Sequence, residues 1–175
     1  MTRRMLACAV MVAAVGGLTR ADDPPAKAAP HPALEKMKKL AGTWVAADKD
    51  GKATDQVVSV IRVTAGGSTV HETLFPGQPM EMVSVYHRDG ADVVMTHYCA
   101  LGNQPRMKLD PASPPNQLRW KFAGGSNFNP AKDMHMHEGT LTIVNDDTIE
   151  FAGVGWVDGK PAPDHCPTMR LVRKK

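Results

Sequence analysis

His135 and His137 stand one residue apart in "KDMHMHEGTLTIV" (Lys132 to Val144), and His97 and Cys99 repeat that spacing in "THYCALGNQPRM". On an extended chain, residues i and i+2 lie about 6.6 Å apart on the same face. Two imidazoles so placed can converge on one ion, and a His-x-His pair with a third ligand is a recurrent zinc arrangement. His97 is the first candidate for the third position, with Cys99 or Glu138 behind it. The same three histidines could instead act as acid and base. No HExxH and no paired CxxC accompanies them, so histidines hydrogen-bonded within a polar cavity stand as the competing reading.

A second group follows His97. Asn103, Gln104 and Arg106 lie in "GNQPRM". Asn and Gln offer both donors and acceptors, and Arg offers a planar fork suited to a carboxylate or phosphate. The cluster can orient an anionic head group, or it can simply bend the chain, with Arg106 paired on the surface. Cys99 beside His97 raises a thiol nucleophile, but i and i+2 on one strand are too far apart for a good hydrogen bond, which favours a structural cysteine. No glycine-rich phosphate loop, serine nucleophile elbow or paired-carboxylate cluster stands out.

What these residues can do depends on the elements that hold them. "ALEKMKKLAG" sets Leu34, Met37 and Leu40 at helical spacing ahead of Gly42, which predicts a short helix. From Trp44 onward helical periodicity gives way to short apolar runs. They are Thr43–Ala47, Gln56–Thr64, Thr69–Phe75, Met80–His87, Asp92–Ala100, Arg106–Leu109, Gln117–Ala123, Met134–Val144, Thr148–Val157 and Thr168–Arg173. The breaks between them carry "KDGK", "AGG", "RDGAD" and "DGKPAPD", which are turn and hairpin signals. About ten strands in a meander leave two exposed edges unless the sheet closes on itself. The expected fold is therefore all-β: an antiparallel up-and-down barrel of about ten strands with a short N-terminal helix, spanning residues 34–175.

"KLAGTWVA" resembles the Gly-x-Trp opening of lipocalin-like and fatty-acid-binding-protein-like barrels, through Gly42 and Trp44. In those families a short helix precedes the first strand and the Trp plugs the closed end. "THYCALGNQPRM" and "DMHMHEGTL" resemble segments of a group of small secreted bacterial lipocalin-like proteins of uncharacterised function. The resemblance runs over most of Leu40 to Arg173 and implies a fold more firmly than an activity. Related ten-stranded haem-binding barrels add haem as a candidate cofactor beside zinc, with one histidine as axial ligand.

Side chains alternate between the faces of a strand. In Met134–Val144, Leu141 and Ile143 belong inside, which carries His135 and His137 inward; a bulge at Gly139 would reverse them and make Met134 and Met136 the core residues. In Asp92–Leu101 the apolar face holds Val93, Met95, His97 and Cys99. Leu118, Trp120 and Phe122 alternate with Arg119 and Lys121, so the aromatics point in. The methionines at 80, 82, 95, 107 and 169 read as barrel filling.

The first 21 residues carry Arg3 and Arg4, an apolar stretch from Met5 to Leu18, and Thr19 and Ala21 at small-residue positions. This is a secretory signal pattern, and it places the product outside the cytoplasm, secreted or periplasmic. Residues 22–33 are Pro- and Ala-rich and read as a flexible linker. The whole chain has 21 basic and 18 acidic residues; Arg3, Arg4 and Arg20 lie in the signal, so the remainder balances at 18 against 18. No basic stripe is left for phosphate neutralisation, which argues against nucleic acid. No integral membrane span is expected after cleavage.

The expected function is a small-molecule-binding barrel. Its apolar cavity carries a patch of His97, Cys99, Asn103, Gln104, Arg106, Trp120, His135 and His137 for a small amphiphilic or anionic ligand. The alternative is a metal- or haem-dependent barrel enzyme using His135, His137 and His97.

Overall fold

A computed structural model of the chain describes residues 29–175 apart from Pro167. The signal segment and the linker as far as residue 28 lie outside the described residues. The chain forms one helix, α1 (Pro32–Lys39), and eleven strands: β1 (Gly42–Ala47), β2 (Ala53–Thr64), β3 (Thr69–Leu74), β4 (Met82–Asp89), β5 (Asp92–Tyr98), β6 (Gln104–Leu109), β7 (Gln117–Ser126), β8 (His135–Asn145), β9 (Thr148–Val157), β10 (Lys160–Ala162) and β11 (Met169–Arg173). Strands β1 to β9 each pair antiparallel with the next, and β11 bridges β9 back to β1. The result is a closed antiparallel barrel of ten strands, and it coincides with the ten apolar runs of the sequence. β10 is an extra outer strand laid on the far half of β9, pairing Lys160 with Val157 and Ala162 with Gly155. Its segment reads as a turn in sequence because it is three residues long with Pro161 at its centre, a composition confined to sheet edges.

One end of the barrel is closed by the start and finish of the domain. The helix begins at Pro32, inside the segment expected to be linker: Pro suits the first helical turn, and His31 Nδ1 accepts a hydrogen bond from Ala33 N–H at 3.2 Å. Ala33, Leu34 and Met37 are buried, and each larger side chain contributes about 1.5–3 kcal/mol through burial. Trp44, fully buried, donates from Nε1 to Leu40 O at 2.9 Å. The Arg173 guanidinium lies 4.4 Å from the Trp44 ring centroid and donates to Ala41 O at 2.8 Å and Lys39 O at 3.3 Å. The last strand thus caps the helix and covers the tryptophan at once. A side chain at position 42 would sit 2.6 Å from Arg173 Nη1 on a backbone at φ +145°, so this approach requires glycine.

At the other end, strand alternation is interrupted. On β8, His135 pairs with Trp156 and Met136 with Gly155, but the next pair is Glu138 with Val154. His137 is therefore an extra residue, a bulge. Past the bulge, Gly139 and Leu141 face inward. Before it, the inward residues are Met134 and Met136. This corrects the expected placement of His135 and His137 inside the barrel.

Among the described residues, no helix is long and apolar enough to cross a membrane.

Candidate functional site

The barrel encloses a cavity of about 390 Å³ that opens at the end opposite α1. Its floor and walls are Met37, Ile61, Met95, Trp120, Leu141, Ile149, Phe151 and Leu171; Met80, Leu101 and His165 stand at its mouth. Seven of the lining residues are methionines: 37, 80, 82, 95, 134, 136 and 169. Thioethers are polarisable and unbranched, so this wall adapts to flat or irregular apolar shapes. Of the methionines expected to fill the barrel, Met95 and Met107 are fully buried in the core, Met107 away from the cavity and Met95 on its wall, while Met80, Met82 and Met169 line the cavity.

One wall of the lumen is polar. Glu72 on β3 pairs in register with Ser84 on β4, and Ser84 with His97 on β5, so the three side chains form a row across adjacent strands. Ser59 on β2 and Tyr86 on β4 flank the row. Ser59 Oγ donates to Glu72 Oε1 at 2.6 Å, and Tyr86 Oη donates to Glu72 Oε2 at 2.6 Å. Ser84 Oγ and His97 Nδ1 are 2.9 Å apart. The Tyr86 ring tilts against Trp120 with centroids 5.4 Å apart. Burial and the adjacent Glu72 charge push the Tyr86 phenol well above its ordinary range, so it stays a donor. Burial lowers His97 to about 4, so its ring is neutral at neutral pH. Nε2 of His97 has no hydrogen-bond partner among the described residues, and the ring lines the cavity.

Of the residues singled out in the sequence, His97, Cys99 and Trp120 line this lumen. Cys99 and Cys166 are both free thiols on the cavity wall. Burial, and then the neighbouring Cys99, raise the Cys166 thiol above its ordinary value. The Asn103, Gln104 and Arg106 group does not face inward, which corrects the expected anion patch. Asn103 is buried but donates to Met134 O at 2.7 Å, tying the start of β6 to the approach of β8. Gln104 accepts from Ser126 Oγ and Asn127 Nδ2 and donates to Gly102 O, which uses up its amide in the turn. Arg106 is exposed and paired with Asp89, because Pro105 and Met107 take the inward positions of β6.

His135 and His137 occupy the opposite face of β8 from the cavity. Gly153 and Gly155 face inward, since a side chain there would meet Cys166 or Met134 of the lumen wall; Trp156 therefore points the other way. His137 stacks between Trp156 (centroids 4.0 Å, planes 17° apart) and Phe122 (4.6 Å, 21°). His135 is fully buried beside Phe128, with Nδ1 2.8 Å from Asp133 O and Nε2 3.0 Å from His137 Nδ1. A backbone carbonyl only accepts, so His135 carries its proton on Nδ1, and Nε2 accepts from His137 Nδ1–H. Burial and the neighbouring His135 both lower the His137 pKa. Each ring is committed to the other, and His97 lies across the barrel on the lumen side. The expected three-histidine metal set is thus not assembled; among the described residues no three His, Cys, Asp or Glu side chains converge as ligands.

Ser59, Glu72, Ser84 and Tyr86 were missed in the sequence. A signal for one of them was present: Val70, Glu72 and Leu74 share a strand face, and a carboxylate on an apolar stripe implies a buried partner. The assembled site is an apolar, thioether-rich chamber with one hydrogen-bonded polar wall that includes the His97 imidazole, and with His165 at its mouth. Compared with known proteins, the chain matches no protein-family model and has no significant match among curated proteins.

Proposed function

We propose that this protein is a secreted or periplasmic lipocalin-like barrel that binds a small, predominantly apolar molecule in its lumen. The observation that carries this reading is the cavity of about 390 Å³, which falls within the range of about 300–1,000 Å³ usual for small-molecule sites. Its composition has the expected form, an apolar lining with a few convergent polar groups. A wholly structural barrel has no use for an unfilled chamber, because each lost contact in a core costs stability. The N-terminal signal pattern supports export. Binding of an anionic ligand loses its support with Arg106 on the outer surface, since the lining includes no Lys or Arg and does include Glu72.

Titration with N-phenyl-1-naphthylamine, a neutral apolar fluorophore, tests the reading. The wild-type protein should enhance its emission with one-to-one saturation. Met136→Trp, which inserts an indole from the β8 wall, should keep the β-sheet circular dichroism and lose the enhancement. Equal enhancement by both proteins would place the probe elsewhere and end the proposal. Native mass spectrometry of the exported protein would then show whether an organic molecule co-purifies, as this reading expects.

A further inference from the structure

We propose that the lumen selects ligands with a cationic head: among the described residues Glu72 is the sole carboxylate on the cavity wall, that wall holds no Lys or Arg, and the bound molecule is an apolar amine carrying its proton. This rests on reading the lumen as a binding site, and it names the class of molecule that the site accepts.

The charge on Glu72 follows from its hydrogen bonds. Ser59 Oγ donates to Oε1 and Tyr86 Oη donates to Oε2, each at 2.6 Å. Hydroxyl bonds of about 2.5–2.7 Å to a carboxylate are the charge-assisted kind, and one on each oxygen marks the ionised form. Two hydroxyls ease the burial of that charge but bring no positive charge to it. Each oxygen keeps a second lone pair for a further donor. Among the described residues no Lys, Arg or His lies within ion-pair distance of Glu72; the ion pairs present join other carboxylates, and none of those lines the cavity. Glu72 is only half-buried although its strand lies in a closed barrel, and the chamber is the space it opens onto.

The rest of the wall suits a cation. The ring of Tyr86, whose hydroxyl Glu72 holds, lies 5.4 Å from that of Trp120, and aromatic rings attract an ammonium within about 6 Å of their centroids. The other polar groups do not discriminate by charge. Burial keeps His97 neutral at neutral pH whichever nitrogen carries its proton, so the ring can meet a donor or an acceptor. His165 is exposed at the mouth, and the Cys99 and Cys166 thiols add no positive charge. Removing a charge from water is costly, but folding has already done so for Glu72. Only the head of the ligand remains to be desolvated, and it enters opposite an unpaired charge. A neutral head leaves that charge unpaired, and an anionic head adds a second one beside it.

The test uses three molecules of one shape, 2-naphthylmethylamine, 2-naphthalenemethanol and 2-naphthoate, titrated calorimetrically into the full chain at neutral pH. The amine should bind at least about tenfold more tightly than the alcohol, as an ion pair in a partly desolvated site requires, and the naphthoate most weakly. In Glu72→Gln, which keeps the shape of the side chain and removes its charge, the amine should lose its advantage while the alcohol keeps its affinity. A second measurement needs no variant. Sodium chloride at about 1 M screens surface charges beyond about 3 Å, and the preference of the wild type for the amine should largely survive it. Equal affinities for amine and alcohol would overturn this inference and leave the lumen reading intact. So would a preference that salt erases or that Glu72→Gln retains, since either puts the ammonium somewhere other than Glu72. Failure of all three molecules to bind would count against the lumen reading itself and take this one with it.

Discussion

Acidification should destabilise this barrel through His97. Its ring bonds Ser84 on β4 and shares the cavity wall with Tyr86 on β4, Glu72 on β3 and Cys99 just past the end of its own strand. Burial lowers its pKa from the ordinary 6.5 to about 4, so the folded state resists a proton that the unfolded chain accepts freely. A depressed folded pKa contributes stability that is complete above 6.5 and is lost as pH falls toward 4. The difference of about 2.5 units, at about 1.4 kcal/mol each, makes the loss about 3 kcal/mol between pH 7 and pH 4. For a domain of this size that is about 6–12 °C in melting temperature. Urea denaturation across that pH range measures it directly, comparing wild type with His97→Gln, which keeps an amide nitrogen and oxygen near Ser84 but cannot titrate. The variant should start less stable at pH 7 and lose about 3 kcal/mol less on the way to pH 4. His137, whose pKa is also lowered, titrates in the same direction in both proteins and cancels from the comparison. Asp110, held below its ordinary 3.8 by Lys121, responds at lower pH. If His97→Gln declines as steeply as wild type, His97 is not held neutral by burial and the description of the polar wall is wrong.

Three further outcomes are expected. Arg173→Met should cost about 1–3 kcal/mol in urea denaturation, because it removes the cation over Trp44 and the hydrogen bonds to Lys39 O and Ala41 O, while N-phenyl-1-naphthylamine binding survives at the far end of the barrel. His135→Leu should destabilise by about 1–3 kcal/mol, leaving Asp133 O and His137 Nδ1 unpaired, yet leave probe affinity unchanged because the outer cluster does not line the cavity; a variant that keeps its stability and loses the probe would place His135 in the site after all. Iodoacetamide should alkylate Cys166 more slowly at neutral pH than it alkylates an unstructured cysteine peptide, since burial raises the thiol, and N-phenyl-1-naphthylamine in the lumen should slow it again; mass-spectrometric peptide mapping reads both effects.

The barrel was legible because its local signals agree. Alternation marked ten strands, the turns carried Gly and Asp where tight reversal needs them, and closure followed from the cost of open edges. The bulge at His137 was not legible. Strand parity is a local rule, and what displaces His137 is the stack it makes between Phe122 of one neighbouring strand and Trp156 of the other. That contact exists only once three strands have paired. Reading inward from Leu141 across an unseen extra residue reverses every side chain beyond it, which moved two histidines across the wall and two methionines in their place.

The polar row was closer to being readable than the histidine pair that drew attention first. Asp89 and Asp92 flank the two-residue turn Gly90-Ala91, and a tight hairpin dictates which residues oppose each other. Counting back from that turn sets Tyr86 against Met95 and Ser84 against His97, as observed. With Met95 on the apolar face, Ser84 and His97 must share the interior, and the ambiguity of the β4 faces disappears. Glu72 needs a longer inference, because the connection from β3 to β4 is not a tight turn and does not set the register. Its own strand still places it between Val70, fully buried, and Leu74 on the cavity wall. A carboxylate there is tolerable only if donors meet it, and hydroxyls are the only donors that apolar neighbouring strands offer. Register from one hairpin and the cost of one buried charge thus lead to the same wall of the barrel, whereas spacing alone led to the wrong one.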